Sequence, residues 1–259
     1  MTDGTQISWD PGTYNRFRGQ RLRPAIDLLR ALPTLPEGCV VDLGCGPGAI
    51  SGALRALLPG RRLVGVDASA EMLADAGDAY DDLVQADIAE WAAQEAPALI
   101  FSNAALQWVG GHDLLLPRLL DSLAPGGVLA VQVPHQNNAP SHRMWRTLAE
   151  ELCGPLPEGL PEVLKPAQYH HLLSPLGVLS LWETEYYQVL PPCEDGGNPV
   201  RRFTEGTYAR PILQALSEAE QARLIAAYEE VVRSAYPVSD NGSVLFPFRR
   251  MFFTVIRPA

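Results

Sequence analysis

The most constraining stretch of the sequence is residues 40–48, which read Val-Val-Asp-Leu-Gly-Cys-Gly-Pro-Gly. A short apolar run contains an acid, three glycines follow at alternate positions, and a helical pattern begins after them. Glycine lets a backbone turn sharply and approach a ligand closely, because no Cβ blocks positive φ angles. The stretch therefore predicts a strand, a tight turn and the N-terminus of a helix, where unpaired N–H groups can face a ligand.

A second strand that ends in an acid is predicted at residues 64–67, which read Val-Gly-Val-Asp. The Asp67 carboxylate could accept hydrogen bonds from both hydroxyls of a ribose, as in dinucleotide-binding folds. The glycine spacing differs from the dinucleotide pattern G-x-G-x-x-G, and Asp42, so close to the turn, would repel a pyrophosphate. It would instead attract a cationic amino-acid ligand. The alternative is an ordinary glycine-rich connection between a strand and a helix.

In these residues the chain resembles the class I S-adenosylmethionine-dependent methyltransferases. The resemblance implies that Asp42 and the glycines line the methionine and ribose side of S-adenosyl-L-methionine, and that Asp67 binds the ribose hydroxyls. It also implies that Asp87 meets the adenine amino group while Ile88 packs on the ring, although Asp87 could instead be a helix cap. The cofactor-binding residues expected on this basis are Tyr14, Arg21, Asp42, Gly44, Gly46, Gly48, Asp67, Ala68, Met72, Asp87, Ile88 and Asn103.

Composition excludes several other classes of protein. The net charge of −10 argues against a nucleic-acid substrate, because nucleic-acid-binding proteins usually present a basic field. No apolar run approaches the ~20 residues of a membrane span, and the polar first ten residues lack the core of a signal peptide. The four cysteines contain no C-x-x-C pair, so we expect no metal site and a reducing, cytoplasmic setting.

Apolar segments alternate with helical patterns through the first half of the chain. Strands are predicted at 39–43, 62–66, 82–86, 98–103 and 128–133, and helices near 24, at 49–58, after Ser69 and at 113–123. This alternation predicts an α/β fold with a doubly wound, mostly parallel sheet. Strand-like segments at 178–189 and 244–257 would complete seven strands, and Pro247 suggests an irregular or edge start for the last one.

Further helices are predicted at 140–153, 200–215 and 217–235. The last two interrupt the final strands, and we expect them to form a helical cap over the carboxyl ends of the sheet, where such folds bind ligands. The expected organisation is an N-terminal lid and helix over 1–35, a Rossmann-like cofactor-binding core over 36–135, and a C-terminal part over 136–259 that includes the cap at about 190–240.

A closer resemblance covers nearly the whole chain. Individually weak matches to the trans-aconitate 2-methyltransferases occur at Trp9 to Pro11, Tyr14, Phe17, Arg21, Arg23, Pro24, residues 103–108, residues 139–142, residues 208–211 and residues 246–247. The segment 191–206 departs from that family, because residues 193–197 look inserted and Arg201 and Arg202 are unexpected there. Since the segment lies on the expected cap, the departure bears on the identity of the substrate more than on the type of reaction.

The resemblance implies methyl transfer to a carboxylate of a small polycarboxylic acid such as trans-aconitate. A carboxylate is already ionised at pH 7, since such acids titrate near ~4. We therefore expect no catalytic residue and a mechanism of positioning and water exclusion. Arginine is well suited to bind a second carboxylate of the substrate, because its planar guanidinium group can donate to both carboxylate oxygens. The expected substrate-binding residues are Gln107, Trp108, His135, Tyr208, Arg210, Arg249 and Arg250, with His142, His170 and His171 as further possible donors.

Two alternatives stay open from the sequence. The chain could methylate an oxygen, nitrogen or carbon atom of a small natural product, a reaction that usually needs a general base. It could also be a non-catalytic module that binds S-adenosylmethionine for a partner protein.

Overall fold

A computed structural model describes residues 22–157 and 160–259. The described strands are β1 Val40–Leu43, β2 Leu63–Asp67, β3 Asp82–Gln85, β4 Leu99–Asn103, β5 Val128–Pro134, β6 Val178–Leu190 and β7 Val244–Ile256. The described α-helices are α1 Arg23–Arg30, α2 Ser51–Leu57, α3 Ala70–Ala76, α4 His112–Ser122, α5 Pro140–Cys153, α6 Pro166–Leu173, α7 Pro199–Glu205, α8 Arg210–Gln214 and α9 Glu218–Ala235. Short 3₁₀ turns lie at Gly77–Ala79 and Leu106–Trp108.

The strands form one seven-stranded sheet in the order β3-β2-β1-β4-β5-β7-β6. Pairing is parallel between β1 and β2, β1 and β4, β2 and β3, and β4 and β5. The predicted doubly wound α/β fold is therefore confirmed. The direction of winding reverses between β1 and β4, and in open parallel sheets ligands bind outside the carboxyl ends of the strands at such a point.

The central strands are apolar because both of their faces are covered. All four residues of β1 and the first four of β4 are buried, which is typical of a parallel sheet with helices on each side. At the ends of the strands, polar side chains replace the apolar ones: Asp67 ends β2 and Asn103 ends β4. Two of the predicted cofactor residues thus lie at strand ends.

The chain divides into two compact units, and each has its own apolar core. The first unit comprises the described part of Met1–Val133, together with Val163–Glu183 and Met251–Ala259. The second comprises the described part of Pro134–Glu162, together with Thr184–Arg250. The second unit therefore contains α5 as well as the helices that the sequence placed in a cap. Within the described residues, no helix combines the length and apolar character needed to cross a bilayer.

The core of the second unit is built around Trp145 of α5. Its ring stacks on Tyr228 of α9 with centroids 3.9 Å apart, and its Nε1 donates to Thr204 Oγ1 at 2.8 Å. The Tyr228 hydroxyl donates to the carbonyl oxygen of Ser141 at 2.8 Å. Because buried Trp and Tyr side chains satisfy their polar atoms in this way, α5, α7 and α9 are held in a defined arrangement.

The structure corrects two predictions about the second half of the chain. The helix predicted at 200–215 is two helices, α7 and α8, because Gly206 ends the first and Pro211 lies in the first turn of the second. Pro247 does not mark an irregular or edge start, since β7 is continuous and lies between β5 and β6. The Gln136 side chain, which follows β5, donates to the Pro247 carbonyl at 2.9 Å. The backbone of β7 is therefore bonded by a side chain at this residue.

Candidate functional site

The three glycines after β1 form a tight turn in which all of them adopt positive φ. The angles are 81° at Gly44, 52° at Gly46 and 80° at Gly48. A Cβ on Gly44 would lie 2.2 Å from the Ala105 Cβ, and one on Gly48 would lie 3.3 Å from the Ala79 Cβ. A Cβ on Gly46 would meet no atom within 4 Å. Packing therefore requires the outer two glycines, whereas the space at Gly46 is open to a ligand.

Asp67 is held beside this turn by two backbone donors. The Gly46 amide donates to Oδ2 at 2.9 Å, and the Ser69 amide donates to Oδ1 at 2.9 Å. An ionised carboxylate has about four acceptor positions, so each oxygen keeps capacity for a further donor. The half-buried carboxylate is thus oriented at the open glycine and can accept a pair of hydroxyls.

The residues that follow Asp67 begin helix α3. Ser69 caps the helix by accepting from the Met72 amide at 3.2 Å, as the sequence predicted. The Ala68 carbonyl accepts from Gln85 Nε2 at 3.2 Å. Met72 is 43% exposed. Ala68 and Met72 therefore lie in the segment that follows Asp67 into helix α3, and their roles in cofactor binding stay predictions.

Asp42 occupies a different environment from the one the sequence suggested. It is only 1% exposed, and its Oδ2 accepts from the Tyr80 hydroxyl at 2.6 Å. Burial raises the pKa of Asp42 to about 7, against the lowering effect of the Tyr80 hydroxyl and with a further raising contribution from Asp67. The carboxyl is thus buried against Tyr80, and its role in cofactor binding stays a prediction.

The raised pKa of Asp42 predicts that the unfolding free energy of the protein depends on pH. Asp42 binds a proton more tightly when folded than when unfolded, so its contribution to stability falls as pH rises from about 4 to about 7. Asp42→Asn keeps the acceptor for Tyr80 and removes the charge. The unfolding free energy of this variant relative to the parent should increase with pH over that window, by about 3 kcal/mol in total. Urea unfolding at pH 4.5 to 8 measures this, and parallel pH curves for the two proteins would contradict it.

Asp87 and Ile88 lie in the segment after β3. Asp87 is exposed, and its Oδ1 accepts from the Ala89 amide at 2.8 Å. It therefore caps a turn and not a helix, since the described chain has no helix between β3 and β4. Ile88 is buried, and its Cδ1 would lie 3.4 Å from a Cβ on Gly44. Ile88 therefore packs at the back of the glycine turn.

The loop after β4 contains a strained residue and two buried acceptors. Ala104 has a φ of 56°, a left-handed conformation that costs of order 1 kcal/mol in a residue with a side chain. Asn103 Oδ1 and Gln107 Oε1 are buried without a hydrogen-bond partner in the described chain, although Gln107 Nε2 donates to the Ala104 carbonyl at 2.7 Å. Trp108 is 51% exposed. Two unsatisfied oxygens at a strand end are suited to a ligand that donates hydrogen bonds.

The same loop is anchored by a histidine that the sequence did not single out. His112 Nε2 contacts the Leu106 carbonyl at 2.9 Å, and its Nδ1 contacts the Tyr169 hydroxyl at 2.6 Å. A carbonyl only accepts, so the ring is protonated at Nε2 and Nδ1 accepts from the tyrosine. This network fixes the loop that carries Asn103 and Gln107.

These features together fit a ligand with two adjacent hydroxyls and a hydrogen-bond-donating cationic group. The turn is open at Gly46, Asp67 supplies acceptors beside it, and Ala105 brings the loop after β4 against Gly44. Among the described residues, no group of three His, Cys, Asp or Glu side chains could hold a metal ion. Cys45 lies in the turn, but burial raises the pKa of its thiol to about 12, so it is not a reactive nucleophile.

A separate cavity of about 580 Å³ in the first unit is lined in part by residues 82–87 and 90–95. Val41, Val64, Val84 and Trp91 are among its lining residues, and Arg62 contributes to its rim by pairing with Asp82 and Glu95 at 2.7 and 2.8 Å. It shares Asp87 with the predicted cofactor residues but contains none of the three glycines and no Asp67. This cavity is therefore distinct from the glycine turn.

Two predicted substrate-binding arginines lie next to each other on β7 but have different surroundings. Arg249 is exposed, with Nη2 3.4 Å from Glu185 Oε2, and its carbonyl accepts from the His135 amide at 2.9 Å. The Arg250 guanidinium lies 4.4 Å from the centroid of the Phe248 ring, and burial lowers its pKa to about 10. Arg249 is therefore a surface charge, whereas Arg250 is a desolvated cation.

Tyr208 lies in a buried aromatic cluster of the second unit. It is 5% exposed, and its ring lies against His142 with centroids 4.3 Å apart. Its hydroxyl is buried without a hydrogen-bond partner in the described chain. Arg210 begins α8 and is exposed, so the structure does not bring it into this cluster by any described contact.

Arg201, one of the unexpected arginines, binds three carboxylates of the second unit. It is 7% exposed, and its Nε, Nη1 and Nη2 donate to Glu229, Glu205 and Asp195 at 2.6, 2.7 and 2.8 Å. A Cβ on Gly197 would lie 2.2 Å from Arg201 Nη2. The apparent insertion at 193–197 thus wraps around this guanidinium, and the departure serves packing in this unit.

Some functional candidates fall outside what the structure describes, and others were missed by the sequence. Tyr14 and Arg21 lie outside the described residues. The sequence analysis did not predict roles for Tyr80, Ala104 and His112. Tyr80 lies 38 residues after its partner Asp42, and the positive φ of Ala104 leaves no local sequence pattern. His170 and His171 are exposed on α6.

Comparison with known proteins agrees with this geometry. A family model described as a methyltransferase domain matches residues 14–177. The chain is 41% identical over 261 residues to a trans-aconitate 2-methyltransferase from Paracidovorax citrulli (strain AAC00-1), with 97% of the chain and 99% of that protein covered. It is 42% identical over 262 residues to one from Azoarcus sp. (strain BH72), covering 96% and 99%.

A solved structure shows the same fold at low sequence identity. Phosphoethanolamine N-methyltransferase 2 of Haemonchus contortus, in complex with S-adenosyl-L-methionine, aligns with a TM-score of 0.55 and 17% identity. The alignment covers 96% of this chain, which spans only 56% of that longer chain. Similarity to the two curated relatives extends over nearly their whole length, so the chain belongs to the trans-aconitate 2-methyltransferase family.

Proposed function

We propose that the protein transfers a methyl group from S-adenosyl-L-methionine to a carboxylate of a small polycarboxylic acid, with trans-aconitate as the first candidate. The observation that carries the proposal is identity of about 40% over nearly the whole chain to proteins of that name. The open glycine turn beside Asp67 supports the cofactor, because it offers acceptors for two hydroxyls at the strand ends where such folds bind ligands.

The first unit would bind the cofactor through the predicted set of residues. Asp67 would accept the ribose hydroxyls, and Gly46 would allow close approach of the backbone. The buried oxygens of Asn103 and Gln107 suit the donor groups of its amino-acid part. Ile88 would pack beside the turn, and the partly exposed Met72 would cover the neighbouring surface.

The reaction needs little chemistry from the protein. Bound S-adenosyl-L-methionine supplies an electrophilic methyl group, so that a new oxygen–carbon bond forms, the sulfur–carbon bond breaks with its electron pair on sulfur, and no proton moves. The side chains then act by orienting the acid and excluding water. His142 agrees with this, because burial lowers its pKa to about 3 and leaves it a weak base at neutral pH.

The absence of a general base is testable by replacing histidines. His135→Gln and His142→Gln should each retain a kcat within about tenfold of the parent at saturating cofactor and acid, whereas loss of a true base costs 10²–10⁴-fold. Rates are measured by production of S-adenosylhomocysteine, with folding checked by circular dichroism. A thousandfold lower kcat in a folded variant would support methylation of a hydroxyl, nitrogen or carbon instead.

The proposal is tested with methyl-labelled cofactor and a panel of di- and tricarboxylic acids. We expect trans-aconitate to gain one methyl group that mild alkali removes as methanol, because only an ester is labile in this way. A product whose methyl group resists alkali would contradict the ester assignment. Cofactor binding without turnover of any small acid would favour a non-catalytic module.

The setting of the enzyme follows from the same observations. All four cysteines are free, which is typical of proteins in reducing compartments, and we propose that the enzyme acts in the cytoplasm. The acidic net charge of −10 suits neither nucleic acid nor an anionic membrane surface as a partner.

A further inference from the structure

The buried hydroxyl of Tyr208 is the starting point for a further inference. The sequence predicts that Tyr208 binds substrate, but it does not say which substrate group the hydroxyl contacts or which cation acts with it. The side chain is 95% buried by accessible area, since only 5% is exposed, and the hydroxyl has no hydrogen-bond partner in the described chain. Leaving such a group unsatisfied destabilises the folded protein, because the group has lost its hydration without gaining a partner. A native protein tolerates this cost most readily where a ligand completes the hydrogen bond.

A cation lies beside this hydroxyl. Helix α5 carries His142 and Arg146 one turn apart, and side chains at this spacing share a face of a helix. The His142 ring packs on Tyr208 with centroids 4.3 Å apart, so the next turn of α5 brings Arg146 to the same cluster. Burial raises the pKa of Tyr208, whereas the charge of Arg146 and a hydrogen-bonding approach of its guanidinium lower it. The guanidinium therefore lies beside the hydroxyl, although the two groups do not meet the full geometry of a hydrogen bond.

Among the described residues, Arg146 has no carboxylate partner, in contrast to two other arginines of the second unit. Arg201 binds three carboxylates and Arg249 lies within 3.4 Å of Glu185. No ion pair in the described part of the chain includes Arg146. The exposed Glu162 acts electrostatically on Tyr208 and raises its pKa. The guanidinium of the half-buried Arg146 and the buried Tyr208 hydroxyl together form a donor set suited to a carboxylate.

We propose that Arg146 and the Tyr208 hydroxyl together bind a substrate carboxylate that is not methylated, an inference that rests on the proposed function of the chain. The guanidinium supplies the charge and paired N–H donors, and the tyrosine supplies an O–H donor. The buried, neutral His142 holds the tyrosine ring from one side, and it hydrogen-bonds Ser141 Oγ through Nδ1 at 3.0 Å. The site selects acids with at least two carboxylates.

The test compares steady-state kinetics of variants with trans-aconitate and with a monocarboxylic acid. Arg146→Met should raise KM for the tricarboxylate by about 30-fold, and Tyr208→Phe by about tenfold, with kcat changed by less than threefold. Arg146→Lys should recover part of the loss, because charge remains without the planar fork. The affinity for S-adenosyl-L-methionine, measured by calorimetry, should be unchanged, and turnover of the monocarboxylic acid should be insensitive to all three changes.

Two control variants make the outcome specific. Arg143→Met removes an exposed arginine from the same helix and should leave KM unchanged. Glu162→Gln should not raise KM, since it removes a like charge near the bound acid. If Arg146→Met behaves like Arg143→Met, or if Glu162→Gln reproduces the Arg146→Met defect, the proposed subsite is wrong.

The two proposals can fail separately. If the parent methylates polycarboxylates and the Arg146 and Tyr208 variants match it, only the subsite is overturned. If the parent methylates no polycarboxylic acid, the proposed function fails and the subsite fails with it. Thermal melts of each variant show that a raised KM is not the result of unfolding, and Tyr208→Phe keeps the ring that packs on His142.

Discussion

Replacing Asp67 with alanine is expected to weaken the binding of S-adenosyl-L-methionine by about 2–4 kcal/mol, because two charge-assisted hydrogen bonds are lost. The carboxylate is oriented beside Gly46 by the Gly46 and Ser69 amides. Asp67→Asn keeps the volume and one acceptor and should have an intermediate affinity. Calorimetry gives the affinities, and circular dichroism shows whether each variant is folded.

A matched control separates the local effect from a general loss of charge. Asp82 begins the neighbouring strand β3 and forms an exposed ion pair with Arg62, a type of pair that contributes little. Asp82→Ala should therefore leave the affinity for the cofactor unchanged. A folded Asp67→Ala variant whose affinity lies within twofold of the parent would refute the assignment of the ribose hydroxyls to Asp67.

The second large effect is on stability. Replacing Arg201 with methionine leaves Asp195, Glu205 and Glu229 close together without their shared cation. Removing one partner of a buried ion pair typically costs 3–5 kcal/mol, and these carboxylates are partly exposed, so we expect a loss of about 3 kcal/mol. Urea unfolding followed by circular dichroism measures it.

Arg202 provides the control for this prediction. It is adjacent to Arg201, is exposed, and lies 3.6 Å from both Asp195 and Glu205. Exposed pairs contribute at most about 1 kcal/mol, so Arg202→Met should be nearly neutral. Equal losses in the two variants would mean that the ion pairs of Arg201 do not stabilise the second unit. Methyl-transfer kinetics of folded Arg201→Met should be close to those of the parent at low temperature.

Much of the first unit could be predicted from the sequence, because periodicity and glycine spacing are local signals. Strands β1 to β5 begin and end within one residue of the predicted segments. The glycine turn, the cap at Ser69 and the strand-end position of Asp67 follow from residue types within a few positions of each other. Because these signals are local, they predicted the position of the turn but not the burial of the Asp42 side chain.

The features that were missed depend on partners distant in sequence. Asp42 meets Tyr80 38 residues later, and Arg201 meets Glu229 28 residues later, so neither pairing is visible in a local pattern. The residue type suggested ligand binding at Asp42, and Arg201 was only an unexpected residue in its segment. The structure shows that the Asp42 carboxyl is buried against Tyr80 and that Arg201 is surrounded by acids.

Gly197 limits which residues can be moved alone if the segment 193–201 is introduced into a related protein. Any side chain at position 197 would occupy the place of the Arg201 guanidinium. Arg201 without its acids would be a buried cation, and the acids without Arg201 would repel one another. We therefore expect four residues to be favourable only when they are introduced together: Asp195, Gly197, Arg201 and Glu229. The changes in unfolding free energy for the single residues should not add up to the change for the complete set.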